Sequence, residues 1–161
     1  MSVKSVDKDL DALTLTLVAE FSATTEQVWE LWANPRKLEQ WWGPPTYPAT
    51  VVEHDLTPGG EVTYYMTGPE GDQHHAWWRF IAVNEPKSLE FVDGFADADG
   101  NPVDTMPTNT TTVTFSPYDG GTRMELRSVF DTTEQMEKLI SMGMDEGLTL
   151  SVGQMDALLA S

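Results

Sequence analysis

Cysteine is absent from the 161-residue chain. That excludes disulfides, thiol nucleophiles and cysteine-type zinc sites, and it suits a reducing cytoplasm. Basic residues are scarce. Nine Lys and Arg stand against 26 Asp and Glu, for a formal net charge of -17. Such a surface repels phosphate backbones and anionic lipid, so neither nucleic acid nor a membrane surface is expected as a partner. Solubility is the simplest use of that charge, and a cationic partner or a salty cytoplasm is the sharper one. No apolar run is long enough to cross a bilayer. The segment Met1-Ser2-Val3-Lys4-Ser5-Val6-Asp7-Lys8-Asp9 has no apolar stretch of the signal-peptide kind, so the expected location is cytoplasmic. A nucleophile elbow, a phosphate loop and an HExxH pattern are all missing. His54, His74 and His75 show no metal-ligand spacing. The expectation is no metal, no cofactor and no recognisable catalytic residue.

What the chain has is aromatic and apolar bulk. Six Trp, six Phe and eight Met contribute to an apolar share of 40%, enough for one core in one domain over residues 1–161. Residues 1–10 are polar and read as a flexible lead-in.

From Leu13 to Phe21 the chain begins as alternating apolar and polar residues, the pattern of a half-buried strand. Thr24 with Gln27, or Thr25 as the cap itself, offers helix N-cap chemistry. Val28, Leu31 and Trp32 follow at helical spacing. Asn34-Pro35 ends that helix and opens a second short one to about Trp41. Strand-like runs then cover 50–56, 61–67, 74–83 and 88–95, separated by Gly- and Pro-bearing turns. The runs 110–116 and 122–130 flank Asp119-Gly120 and read as a hairpin. The loop from Ala96 to Asn109 is long for a compact domain and is a candidate binding element. From Thr133 onward the apolar period becomes helical, predicting one helix of more than twenty residues. Strand, two short helices, six strands and a long helix, with no βαβ alternation, define an α+β class with an antiparallel sheet.

Four ordered segments carry a resemblance. They are Ala23–Trp29 leading to Asn34-Pro35 and Trp41-Trp42-Gly43-Pro44, then Asp55–Glu61, then Glu85–Phe91, and finally Gly121–Met124 with Gly143–Gly147. Together they make the chain similar to the Hsp90-ATPase-activator homologues of the START-like, Bet v 1-like superfamily. The resemblance implies a helix-grip fold: a curved seven-stranded antiparallel sheet around a long C-terminal helix, with two short helices closing one end. It also implies a cavity for a lipid-like or otherwise apolar small molecule. The family often has Arg where this chain has Ala19, and Trp where it has Leu148. Both changes remove bulk and imply a roomier pocket.

The candidate cavity residues are Trp29, Trp32, Trp42, Tyr64, Met66, His74, Trp78, Phe80, Phe91, Phe95, Ile140, Gly143, Met144, Gly147 and Leu148. Trp and Tyr suit pocket walls because each offers an apolar face and one polar tip. Gly143 and Gly147 share the apolar stripe of the last helix, where glycine costs about 1 kcal/mol against Ala. They serve either a close approach of backbones or space for a ligand. Alternation puts His74, Ala76, Trp78 and Phe80 on one strand face and His75, Trp77, Arg79 and Ile81 on the other. Which face looks inward is open at this level. Three functions follow in order: a binding protein for a small hydrophobic or amphipathic molecule, a stress-response or Hsp90-type cochaperone partner, and a cyclase- or hydrolase-like enzyme. The second needs an exposed apolar patch, expected at Trp41-Trp42-Gly43-Pro44. The third needs polar groups converging inside the pocket. Monomer and homodimer are both compatible with the chain.

Overall fold

A computed structural model of the chain describes residues 3–160. Among these residues the strands are β1 (Val3–Asp9), β2 (Thr14–Phe21), β3 (Ala49–His54), β4 (Glu61–Thr67), β5 (Gln73–Asn84), β6 (Ser88–Phe95), β7 (Asn109–Tyr118) and β8 (Gly121–Phe130). They form one antiparallel sheet in the order β1-β2-β8-β7-β6-β5-β4-β3. The helices are α1 (Thr25–Ala33), α2 (Pro35–Trp41), α3 (Thr133–Ser141), α4 (Met144–Gly153) and α5 (Met155–Leu159).

Local chemistry sets most of these boundaries. At α1 the capping box closes: Thr24 Oγ1 accepts from Gln27 N at 3.2 Å, and Gln27 Oε1 accepts from Thr24 N at 2.9 Å. Asn34 ends α1 and caps α2, where its Oδ1 accepts from Arg36 N at 2.9 Å ahead of Pro35 in the first turn. Thr132 caps α3 through Gln135 N at 3.1 Å. The β7–β8 hairpin turns on Asp119 and Gly120, both at positive φ, as a right-handed strand twist requires.

Two expectations are corrected. The sheet has eight strands, not seven, because residues 3–9 form an edge strand and not a flexible lead-in. Their composition is polar because an edge strand needs few apolar contacts. Val3 and Val6 supply those contacts against the core, and Lys8 Nζ reaches Asp145 on α4 at 2.9 Å. Met1 and Ser2 lie outside the described residues.

The single long C-terminal helix is the second correction: it is interrupted. Gly143 has φ +89, ends α3 and precedes α4. Its N–H donates to Ile140 O at 2.9 Å, closing the free carbonyl end of α3 in the way a left-handed C′ glycine does. Periodicity alone runs through this point, since the apolar stripe continues on both sides. Gly143→Ala should therefore destabilise the protein by about 1–2 kcal/mol, measured as a shift of the urea midpoint at constant slope.

The core lies between the concave sheet face and the helices. Trp32 sits at its centre, with ring centroids 4.8 Å from Trp41, 5.9 Å from Trp78 and 6.3 Å from Phe91. Trp78 and Phe91 stack at 4.3 Å across the β5–β6 pair. A second cluster of Leu15, Phe130, Met136 and Leu139 anchors α3 at the other end. Aromatic bulk thus packs solidly beneath α1 and α2, and the space beneath α4 is filled differently.

Candidate functional site

Strand parity decides which side chains can reach that space. On β5, Trp78 and Phe80 are buried inward, while Arg79 and Ile81 are exposed. His74 and Ala76 share the inward parity. Trp77 lies on the outer face over Gly94, where its Nε1 donates to Phe95 O at 3.0 Å. On β6, Leu89, Phe91, Asp93 and Phe95 share the inward parity. Asp93 is therefore a carboxyl at an apolar position, paired across the ladder with Trp78 on β5 and Asn109 on β7.

A cavity of about 610 Å³ opens between the sheet and the α3–α4 corner. Trp42, Pro44 and Tyr47 line it from the α2–β3 connection, and Tyr64 and Met66 from β4. His74, His75, Ala76, Asp93 and Phe95 line it from β5 and β6. The loop after β6 folds back through Val103 N to Phe95 O at 2.9 Å, and places Pro107 on the wall. Leu139, Met142, Gly143, Met144, Gly147, Leu148 and Ser151 complete it from the helices. Gln154 ties the helical wall to the opposite one, its Nε2 donating to Gly43 O at 2.7 Å and Trp41 O at 3.1 Å.

The structure brings nine of the fifteen candidate residues to this cavity: Trp42, Tyr64, Met66, His74, Phe95, Gly143, Met144, Gly147 and Leu148. Trp29, Trp32, Trp78, Phe80 and Phe91 belong instead to the adjoining packed core, and Ile140 packs against the α3 cluster. The glycine pair separates into two roles. Gly143 provides the turn, and Gly147 provides room. A Cβ built at Gly147 meets no atom within 4 Å, so close approach of backbones does not explain it.

Asp93 is the residue that sequence reasoning passed over. The signal was present, because Leu89, Phe91, Asp93 and Phe95 alternate and the acid interrupts an apolar series. Burial pushes its carboxyl up to about 7. The neighbouring Tyr64 hydroxyl is raised well above its usual value, first by burial and then by the Asp93 charge. Two indole groups oppose that shift. The N–H groups of Trp42 and Trp78 lie close enough to the Tyr64 oxygen to favour its ionised form. Yet both Nε1 atoms are buried without a partner of hydrogen-bond geometry among the described residues. One part of the cavity wall therefore carries a phenol, a carboxyl and the under-used N–H donor of Trp42, with that of Trp78 behind it.

The histidines do less. His74 pairs with Asp72 at the surface and lowers that carboxyl through their hydrogen bond. His54 Nε2 lies 3.1 Å from the Trp32 carbonyl and holds α1 to β3. Among the described residues, no group of three or more His, Asp or Glu side chains could hold a metal ion. No described helix is long and apolar enough to cross a membrane. The patch expected at Trp41-Trp42-Gly43-Pro44 is not exposed there: Trp41 is 0% accessible and Trp42 turns into the cavity wall. The reason is the aromatic packing around Trp32, 4.8 Å from Trp41 and 6.0 Å from Trp42.

A curved antiparallel sheet that closes on C-terminal helices around a cavity is the α+β helix-grip class. Within that class, the family of Activator of Hsp90 ATPase homolog 1-like proteins matches residues 22–160, and the chain belongs to it. A crystal structure of a protein from Mycobacterium smegmatis is similar at 48% identity and a TM-score of 0.91, with 98% of this chain and 96% of that one covered. A solution structure of a protein from Arthrobacter aurescens is also 48% identical, with a TM-score of 0.94 and coverage of 99% and 92%. A third, from Staphylococcus epidermidis, shares 25% identity over 98% and 94% of the two chains, with a TM-score of 0.84. No curated protein matches the chain.

Proposed function

We propose that the protein binds a small hydrophobic or amphipathic molecule in the cavity between the sheet and α4. One observation carries this reading: α4 faces roughly 610 Å³ of unfilled space across Gly147, the size of a typical small-molecule pocket. Leu148 on the cavity wall fits the same reading, since the family resemblance implies a larger residue there. The acid-rich surface fits a soluble carrier or sensor in the cytoplasm, and nothing in it favours a nucleic acid.

Native mass spectrometry on protein purified under mild conditions tests the reading. The expected result is an added mass of a few hundred daltons that disappears on organic extraction. The extracted protein should then take up an apolar fluorophore at a stoichiometry of one. Extracted protein that binds no apolar probe at all would overturn it.

The cyclase- or hydrolase-like reading has one observation in its favour: Asp93, a carboxyl raised to about 7, shares the cavity with Tyr64. Under that reading Asp93→Asn abolishes turnover of a bound molecule. Under the binding reading the molecule is recovered unchanged.

A further inference from the structure

The cavity is not uniformly apolar, and one part of its wall combines aromatic rings with polar tips. Trp42, Tyr64 and Asp93 line it, and Trp78 stands directly behind them. Ring centroids are 4.9 Å apart for Trp42 and Trp78, 5.9 Å for Tyr64 and Trp78, and 6.3 Å for Trp42 and Tyr64. All three contacts are edge-to-face, so ring edges and polar tips meet here. Trp42 Nε1 and Trp78 Nε1 are buried and unpartnered among the described residues. An indole N–H can only donate, and a buried donor without an acceptor is unfavourable. The Tyr64 oxygen, crowded by both, cannot satisfy either with good geometry.

We infer that Tyr64 and Trp42, with Asp93 beside them and Trp78 packed behind, form a polar subsite that takes the uncharged carbonyl oxygen of an otherwise apolar ligand. This rests on the reading that the cavity holds a ligand. A carbonyl oxygen offers two lone pairs and no proton, which matches donors that lack an acceptor. A carboxylate or phosphate head is disfavoured by Asp93 on the wall and Glu146 on the helical side, on a chain of net charge -17. A quaternary ammonium would need open aromatic faces. The Trp78 face is instead covered by Phe91, stacked at 4.3 Å, and the ring is 1% accessible.

Two isosteric probes test the subsite: 2-acetylnaphthalene and 2-isopropenylnaphthalene, which differ by an oxygen against a methylene. Titration of extracted protein should show the ketone binding about tenfold tighter or more, a difference of about 1.4 kcal/mol. Tyr64→Phe and Trp42→Phe should each reduce that preference several-fold, read as the ratio of the two affinities within each variant. The carbonyl carbon of a 13C-labelled ketone should move downfield on binding to the wild type, a readout that needs no variant. Equal affinity for the two probes, with no carbonyl shift, would overturn the subsite and leave the cavity reading standing. Binding of neither probe would remove both. Tighter binding of a 2-naphthyltrimethylammonium ion than of the ketone would also overturn it, in favour of a cation site.

Discussion

Asp93→Asn is expected to stabilise the protein increasingly from pH 5 to pH 7, and by a constant amount above that. The sign follows from the direction of the shift. Burial raises the folded carboxyl to about 7 against an ordinary value of 3.8. Between those values the folded state holds a proton that the unfolded state has lost. Raising the pH through that window therefore destabilises the fold, by at most about 1.4 kcal/mol per pH unit. Integrated over the window the upper limit is about 4 kcal/mol, and Asn retains part of the burial cost of a polar group. The other ionisable groups around the cavity are Tyr64 on β4, His74 and His75 on β5 and Glu146 on α4. Tyr64, raised well above its usual value, stays un-ionised from pH 5 to pH 8, so its coupling to Asp93 does not enter the difference between variant and wild type. Urea melts at pH 5, 6, 7 and 8 measure it. A difference that is flat across this range would mean that Asp93 is ionised throughout, contrary to its burial. The melts use protein taken through the organic extraction described above, because a ligand that prefers one protonation state would add its own linkage.

Substitution at Gly147 should separate stability from binding. The position lies inside α4 with no atom within 4 Å of a built Cβ. Gly147→Ala should raise stability by about 1 kcal/mol, since it improves helix propensity and meets nothing. Gly147→Trp should project a large side chain into the cavity and weaken ligand uptake by about a hundredfold or more, while the fold persists. Circular dichroism and probe titration on the same samples check both. If Gly147→Ala were destabilising, the space beneath α4 would be closed in solution. If Gly147→Trp bound probe normally, the ligand would sit elsewhere.

Much of the fold is legible in the chain because its signals are local. The caps at Thr24 and Asn34, the turn at Asp119-Gly120 and the alternation from Leu13 to Phe21 depend on residues within a few positions of one another. Strand β1 was not legible for the opposite reason. Its polar sequence becomes a strand only by pairing with β2, a contact that local propensity does not encode. The break at Gly143 was hidden because an apolar stripe says which residues face inward, and nothing about whether the backbone between them turns. The site was partly legible in the same sense. Trp42, Tyr64, Gly147 and Leu148 stood out by type and position. Trp29, Trp32, Phe80 and Phe91 are of the same types, yet they fill the core, because packing against α1 and α2 leaves no room beside them.

By itself, then, the sequence determined the class of fold and the inventory of aromatic, apolar and acidic groups. It also determined which side chains share each strand face. Tertiary structure alone decided which face is enclosed, and so turned Asp93 from one acid among 26 into a half-buried, desolvated carboxyl beside Tyr64. The physical reason is desolvation. The charge state of a carboxyl, and the need of an indole N–H for an acceptor, depend on how much water remains around them, and that is a property of the folded surroundings.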